Sequence, residues 1–299
     1  MLRIPAFLKP GDQIALISPS RFAEPEQIAS AQTFAAAHGW ELVLAPGLGD
    51  SDGQLGGTDD ARAAQINWAL AQPSVRALWG VRGGYGAVRA VDRVDWTLLE
   101  RDPKWLVGFS DFTVLLGETF VRGMASMHGP MAIQLALNAS PDSFQALADA
   151  WNGSPWTLSG RTDSSDFSVR GPLVGGNLSV LYSLLGSRSF PDLRGCILAL
   201  EDLDEYHYHL DRMMQGLRRA GVFEGVRAVV AGDFSDLKDH ERPFGRTWSQ
   251  ILREAVPAEI PVVEHFGFGH ENRNLTFIHG LPHALDATLG HATLRPLLP

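Results

Sequence analysis

Cysteine is nearly absent from this sequence: Cys196 is the only one in 299 residues. No intrachain disulfide can form, which fits a reducing compartment. Long apolar runs are missing too, and none approaches the roughly 20 residues that would span a bilayer. The opening segment, MLRIPAFLKPGDQIALISPS, is interrupted by Pro5, Lys9, Pro10 and Asp12, so it lacks the continuous apolar core of a secretion signal. A cytoplasmic protein without membrane contact is the expectation. Positive charge is in deficit, with 25 Lys and Arg against 34 Asp and Glu and a net charge of -9. That leaves no broad basic surface for a phosphate backbone, and no nucleic-acid partner is expected. A local pocket can still oppose the global sign. Internal repeats and low-complexity tracts are absent as well.

What is present is an ordinary globular balance, with 45% hydrophobic and 20% charged residues, which gives no reason to expect disorder. The length has room for one large domain or two of common size. Short apolar runs alternate with helix-like stretches through the first half. Gln13–Ser18 reads as a buried strand, and Pro25–His38 as a helix striped by Ile28, Phe34 and Ala35 and ended by Gly39. Glu41–Ala45 is a second strand. Thr58–Gln72 is a helix with Thr58 as N-cap and Asp59 and Asp60 in its first turn, where the macrodipole favours acids. Val75–Val81 and Trp105–Phe109 are further strands. Strands alternating with helices predict a parallel sheet flanked by helices.

Between about 140 and 170 the pattern weakens into sequence rich in Ser, Asp, Gly and Pro. The expected fold class is therefore α/β: an N-terminal parallel-sheet α/β domain (1–145), a linker (146–170) and a C-terminal α+β domain (171–299) with a strand-rich tail. The C-terminal part opens with GPLVGGNLSVLYSLLG, read as a glycine turn leading into a helix. Strands follow at Cys196–Leu200, Arg227–Ala231 and Pro261–Glu264, and the tail alternates like antiparallel strands with a turn near Gly290. A site is expected in the cleft between the two domains.

Four segments carry candidate chemistry. In KWLVGFSDFTVLLG a strand ends at Gly108, Ser110 sits in the turn, and a helix begins at Asp111 or Phe112. Such a turn lifts a hydroxyl out of the sheet, and the free N–H groups of the helix favour negative charge nearby. The N–H of Asp111 is placed to donate to an oxyanion. Ser110 as a plain N-cap remains the competing reading. A G-x-S-x-G elbow would require glycine where Phe112 stands, which argues against an α/β-hydrolase. In VRGGYGAVRA, Gly83, Gly84 and Gly86 follow a strand and precede a helix, so their N–H groups can converge on an anion. Arg89 occupies the third glycine position of a dinucleotide fingerprint, which leaves a second oxyanion donor or a simple tight turn.

In CILALEDLDEYHYHLDRMMQGLRRAG, Glu201 stands where a buried strand ends, a costly place for an unpartnered carboxylate. A helix cap or a salt bridge would also explain it. Leu210, Met213, Met214 and Leu217 then form an apolar helical stripe. His207 and His209 have metal-like spacing without a clear third ligand, and solvated or capping roles suit them better. In VVEHFGFGHENRNLTFIHG, His270 follows a strand in a glycine-rich turn. Glu264, His265, His270 and Glu271 match no H-E-x-x-H zinc pattern, and no metal is expected. Cys196, inside an apolar strand, reads as a small core residue. Nucleophile, acid and base thus all fall at strand ends, the edge where a sheet enzyme places its chemistry.

These segments, with GGTDDARAAQINWALAQPSVRALWG, MHGPM and GPLVGGNLSVL between them, closely resemble the LD-carboxypeptidase family, in order from about residue 11 to about 280. The family includes murein tetrapeptide carboxypeptidases and microcin C immunity peptidases. The resemblance implies a serine peptidase with Ser110 as nucleophile, Glu201 as acid and His270 as base. Oxyanion donors are implied at Asp111 and at Gly83 or Gly84. It also implies an L,D-peptide substrate such as murein tetrapeptide, release of the terminal D-alanine, no cofactor, and a homodimer. The immunity branch carries a longer insertion before the acid than this chain has, which favours the murein reading over cleavage of aminoacyl nucleotide analogues. Arg82, Asn177 and Arg273, each beside a proposed catalytic turn, are the candidate partners of the substrate carboxylate.

Overall fold

Alternation within each apolar run decides which face each residue covers. In the computed structural model, which describes residues 2–137, 139–163 and 166–298, β1 is Gln13–Ile17, α1 Pro25–Ala37, β2 Glu41–Leu44, α2 Asp59–Ala71 and β3 Val75–Gly80. The short helices α3 (Ala87–Ala90) and α4 (Thr97–Arg101) lead to β4 (Trp105–Gly108), α5 (Thr113–Val121) and β5 (Ser126–His128). Helices α6 (Ala132–Ala136) and α7 (Pro141–Asn152) complete the half. Strands β2, β1, β3, β4 and β5 lie side by side and parallel. Ile14 and Leu16 point to a core shared with α1 and α7, while Ala15 and Ile17 point to one shared with α2 and α5. That is the period of two in a sheet covered on both faces.

The second half supplies β6 (Leu158–Gly160), β7 (Phe167–Asn177), α8 (Leu178–Ser183), β8 (Ile197–Leu203), α9 (His207–Arg219), β9 (Ala228–Ser235), α10 (Trp248–Ala255) and β10 (Val262–Val263). Then come β11 (Phe277–His279), β12 (Pro282–Thr288) and β13 (His291–Pro296). A second sheet runs β10-β9-β8-β7-β12-β13-β6, parallel as far as β7 and antiparallel beyond it. The expected stripe of α9 is buried against this sheet. β11 leaves its own half and pairs antiparallel with β5, closing one edge of the first sheet.

Two local expectations give way to the structure. Part of the segment read as a linker is regular structure, while residues 164 and 165 lie outside the described residues: α7 runs through Asn152, with Pro141 in its first turn and Gly153 in the left-handed region at its end. Leu147, Ala148 and Trp151 of this helix lie in the first core, and β6 with the start of β7 occupies part of the remainder. Of the residues that suggested a linker, Ser140, Pro141, Asp142 and Ser143 form the start of α7. The expected glycine turn at 175–176 is the end of β7. A Cβ on Gly175 would lie 2.0 Å from the carbonyl oxygen of Ala199, so glycine there lets β7 approach β8 closely.

Candidate active site

Because the strands of each parallel set point the same way, their C-terminal ends collect along one edge. From the first sheet this edge receives the segments after β1, β3, β4 and β5. From the second it receives the end of β8 and the segments after β9 and β10. A cavity of about 410 Å³ opens there, lined among others by Arg21, Arg82, Gly83, Ser110, Leu203 and His270.

Ser110 lies two residues past the end of β4 and has φ +60, a left-handed conformation uncommon for residues other than glycine. The chain then turns through one 3₁₀ turn, Ser110–Phe112, into α5. This sharp reversal lifts the hydroxyl to the cavity wall. Gly83 lies against it: a Cβ on Gly83 would meet Ser110 Cβ at 3.1 Å and Oγ at 3.2 Å. Only a residue without a side chain allows that backbone so near the hydroxyl. Gly84 is arranged otherwise, since a Cβ there would strike Arg21 Cδ at 2.3 Å. Asp111 is buried, and its carboxylate binds the two neighbouring loops, accepting from Ser20 Oγ (2.6 Å) and from the Ala87 N–H (2.8 Å). Burial pushes its pKa up against these hydrogen bonds and the pull of Arg62.

Glu201 is fully buried within β8, which continues two residues past it. The register with β9 slips between Leu200 and Asp202, an irregularity of the kind that re-aims a side chain. Oε2 of Glu201 sits 2.7 Å from Nδ1 of His270, while Oε1 has no hydrogen-bond partner. Burial pulls the His270 pKa down, but the charge and hydrogen bond of Glu201, with Asp202 and Asp233 behind, outweigh it and leave it raised. With Nδ1 committed to Glu201, Nε2 remains for the cavity. The Phe109 ring contacts both His270 (centroids 4.6 Å apart) and His128 (5.8 Å). Asp202, the neighbour of Glu201, points the other way to Asn177 Nδ2 (3.0 Å) and the Ser179 N–H (3.0 Å). Burial and the Glu201 charge push its pKa to about 7. Asp233, near Gly269, is also pushed to about 7, by burial first and then by Glu271 and Glu201.

The structure therefore brings Ser110, His270 and Glu201 to one edge, with Gly83, the N-terminal side of Asp111 and Arg82 beside them. Asn177 and Arg273 are placed elsewhere. Asn177 is buried, caps α8 by accepting from the Val180 N–H (3.1 Å), and binds Asp202. Arg273 is exposed, its Nε 3.7 Å from Asp142. Neither lines the cavity. His207 pairs with Asp239 and His209 with Glu205. Glu264 faces Ser249 and Arg253. Among the described residues no three His, Cys, Asp or Glu side chains gather as metal ligands. Cys196 is buried in the core, its thiol pushed up to about 11 by burial. Arg21 is a charged cavity residue that sequence reasoning missed. Only its position after the first strand hints at it, because its loop carries no motif of its own.

Two sheets whose parallel strands end along a shared edge, with a strained serine and a histidine–glutamate pair at one cavity, have the arrangement of a serine hydrolase. Residues 14–129 match the LD-carboxypeptidase N-terminal domain, and residues 170–285 match the LD-carboxypeptidase C-terminal domain. The chain belongs to the LD-carboxypeptidase family and is a serine carboxypeptidase. A carboxypeptidase-named protein of Streptomyces coelicolor is 36% identical over 98% of this chain and 97% of its own. The murein tetrapeptide carboxypeptidase of Pseudomonas aeruginosa is 28% identical, covering 92% of this chain and 93% of that one. The crystal structure of muramoyltetrapeptide carboxypeptidase from Oxalobacter formigenes superposes with a TM-score of 0.86 at 28% identity, over 94% of this chain and 98% of the other. The microcin C7 self-immunity protein MccF shares the fold, with a TM-score of 0.81 at 22% identity over 98% of both chains.

Proposed function

We propose that this enzyme hydrolyses the L,D-peptide bond of murein tetrapeptide and releases the terminal D-alanine, in the cytoplasm, during cell-wall recycling. The observation that carries the reading is the 2.7 Å contact of His270 Nδ1 with buried Glu201 beside the cavity that holds Ser110. The named activity of the Pseudomonas and Oxalobacter relatives supports the substrate.

Ser110 Oγ attacks the scissile carbonyl as its proton passes to Nε2 of His270. Glu201 holds the ring in the required tautomer and stabilises the imidazolium. The N–H groups of Asp111 and Gly83 receive the oxyanion, and the close approach of Gly83 to Ser110 favours it over Gly84 for this role. As the intermediate collapses, His270 returns the proton to the leaving amine. Water then attacks the acyl-serine by the same base, freeing the shortened peptide and restoring the Ser110 hydroxyl.

Mass spectrometry of products tests the reading. Murein tetrapeptide should lose D-alanine, and a peptide ending in L-alanine should react at least about a hundredfold more slowly in kcat/KM, because the wrong hand exchanges methyl group and carboxylate within the pocket. Comparable cleavage of both would overturn the L,D specificity. The alternative, an immunity-type peptidase, requires turnover of an aminoacyl sulfamoyl nucleotide in preference to the tetrapeptide.

A further inference from the structure

Arg21 and Arg82 line the cavity together with Ser110 and His270. Among the described residues neither guanidinium forms an ion pair. Nε of Arg21 is buried without a hydrogen-bond partner, and Arg82 has the Phe22 ring 5.9 Å from its guanidinium carbon. Two like charges held near one another and partly removed from water are unfavourable unless an anion joins them. Burial, and next the charge of Arg21, lower the pKa of Arg82, with Glu24 only partly opposing.

The fold nevertheless fixes Arg21 in place. Ser20, the residue before it, donates to Asp111, the residue after the nucleophile. Arg62 Nη1 clamps the same loop, donating to the carbonyls of Pro19 (2.8 Å) and Gly86 (2.5 Å). The stem of Arg21 crosses Gly84, where a Cβ would lie 2.3 Å from its Cδ and 2.6 Å from its Cγ. Gly84 is therefore the seat of the arginine, while Gly83 next to it touches Ser110. Arg82 precedes Gly83 directly. Both cations thus flank the turn that faces the reacting carbonyl.

We propose that Arg21 and Arg82 form a clamp for the free carboxylate of the leaving residue, an inference that rests on the peptidase reading above. That carboxylate carbon lies two bonds beyond the scissile nitrogen, so a cationic pair beside the nucleophile turn is within reach. The clamp makes the enzyme act on a chain end: an amidated or extended terminus leaves both guanidiniums desolvated and unpaired. A carboxylate on the side chain of the residue before the bond would offer the same chemistry, and the test separates the two.

Binding is measured by calorimetry in the Ser110→Ala protein, so turnover plays no part. The ligands are a tetrapeptide ending in D-alanine, its D-alaninamide counterpart, and a pair differing only in a side-chain carboxylate at the third residue. The acid should bind about 10- to 100-fold more tightly than the amide, the range set by hydrogen bonds to charged groups. Adding Arg21→Ala should abolish that ratio while leaving amide binding within about threefold, and Arg21→Lys should restore part of it. Equal loss for acid and amide reduces Arg21 to a structural part and overturns the proposal. So does a loss that follows the third-residue carboxylate, or an acid peptide that does not bind at all. Wild-type protein that binds the acid selectively yet releases no D-alanine overturns the hydrolytic reading and leaves the clamp standing.

Discussion

His128 and His270 both contact Phe109, one at the end of β5 in the first sheet, the other on the loop after β10 in the second. Both are withdrawn from water, yet their protons behave oppositely. Neither ring nitrogen of His128 has a hydrogen-bond partner, and it stacks on Phe277 with ring planes 6° apart. Burial drives its pKa down to about 4, with Glu201 too weakly coupled to reverse it. His270 suffers the same desolvation, but direct contact with Glu201 carries it above the ordinary value. Burial makes a histidine neutral and inert; a carboxylate in contact makes it basic. The same division runs through the whole edge. The first sheet offers a hydroxyl set by backbone geometry, and the second offers a proton acceptor set by charge.

Removing either contribution should abolish turnover without unfolding the protein. Ser110→Ala deletes the nucleophile and relieves a strained left-handed residue only slightly, so kcat should fall on the order of 10⁴- to 10⁶-fold with the melting temperature retained. A folded variant that keeps most of its activity would defeat the assignment. Glu201→Gln converts His270 toward the state of His128. A loss on the order of 10³- to 10⁴-fold in kcat is expected from the unfavourable tautomer. Wild-type kcat/KM should rise with pH through a midpoint above 6.5, because the base must be neutral and its pKa is raised. In Glu201→Gln that midpoint should move down, since desolvation remains and its opponent is gone. An unmoved midpoint would show that some other group governs the limb.

Asp111, a buried acid of the first half, contrasts with Glu201. Its Oδ2 takes two donors, whereas Glu201 keeps one oxygen unpartnered. Asp111→Ala should therefore cost stability, about 2–4 kcal/mol for orphaning the Ser20 hydroxyl and the Ala87 N–H, read from denaturant unfolding. A change below about 0.5 kcal/mol would remove Asp111 from its role of tying the loops together.

Much of this edge was legible in the sequence, because strand ends and glycine turns are local signals. Ser110, Glu201 and His270 each lie at or near the end of a strand or in the turn beyond it, and chain direction in a parallel sheet does the rest. Three features were not legible. Arg21 lies in a loop with no motif of its own, and its closeness to Gly84 is a contact between separate loops. Asn177 and Arg273 adjoin informative segments in sequence, yet alternation and exposure turn them away from the cavity. The pairing of Phe277–His279 with β5 joins residues about 150 positions apart in the chain, a separation that no local pattern records.

The smallest effect tests the neutral side of the comparison. His128→Phe keeps a flat ring against Phe277 and removes the two unpartnered nitrogens, at the cost of fitting a slightly larger ring. That cost does not depend on pH; the histidine's contribution does. With a folded pKa near 4 and an ordinary value of 6.5, the unfolded chain binds the extra proton as pH falls below 6.5. His128 therefore contributes no penalty well above 6.5, and an increasing one as pH falls toward 4. Between pH 7.5 and 5.5 the stability difference between variant and wild type should shift in favour of the variant by about 1.4 kcal/mol. Taking the difference matters, because Asp202 and Asp233, whose pKa values are raised to about 7, push total stability the other way over the same window. A difference that stays flat across these pH values would mean His128 is protonated, or partnered, in the folded protein. The division between a neutral first-sheet histidine and a basic second-sheet one would then fail.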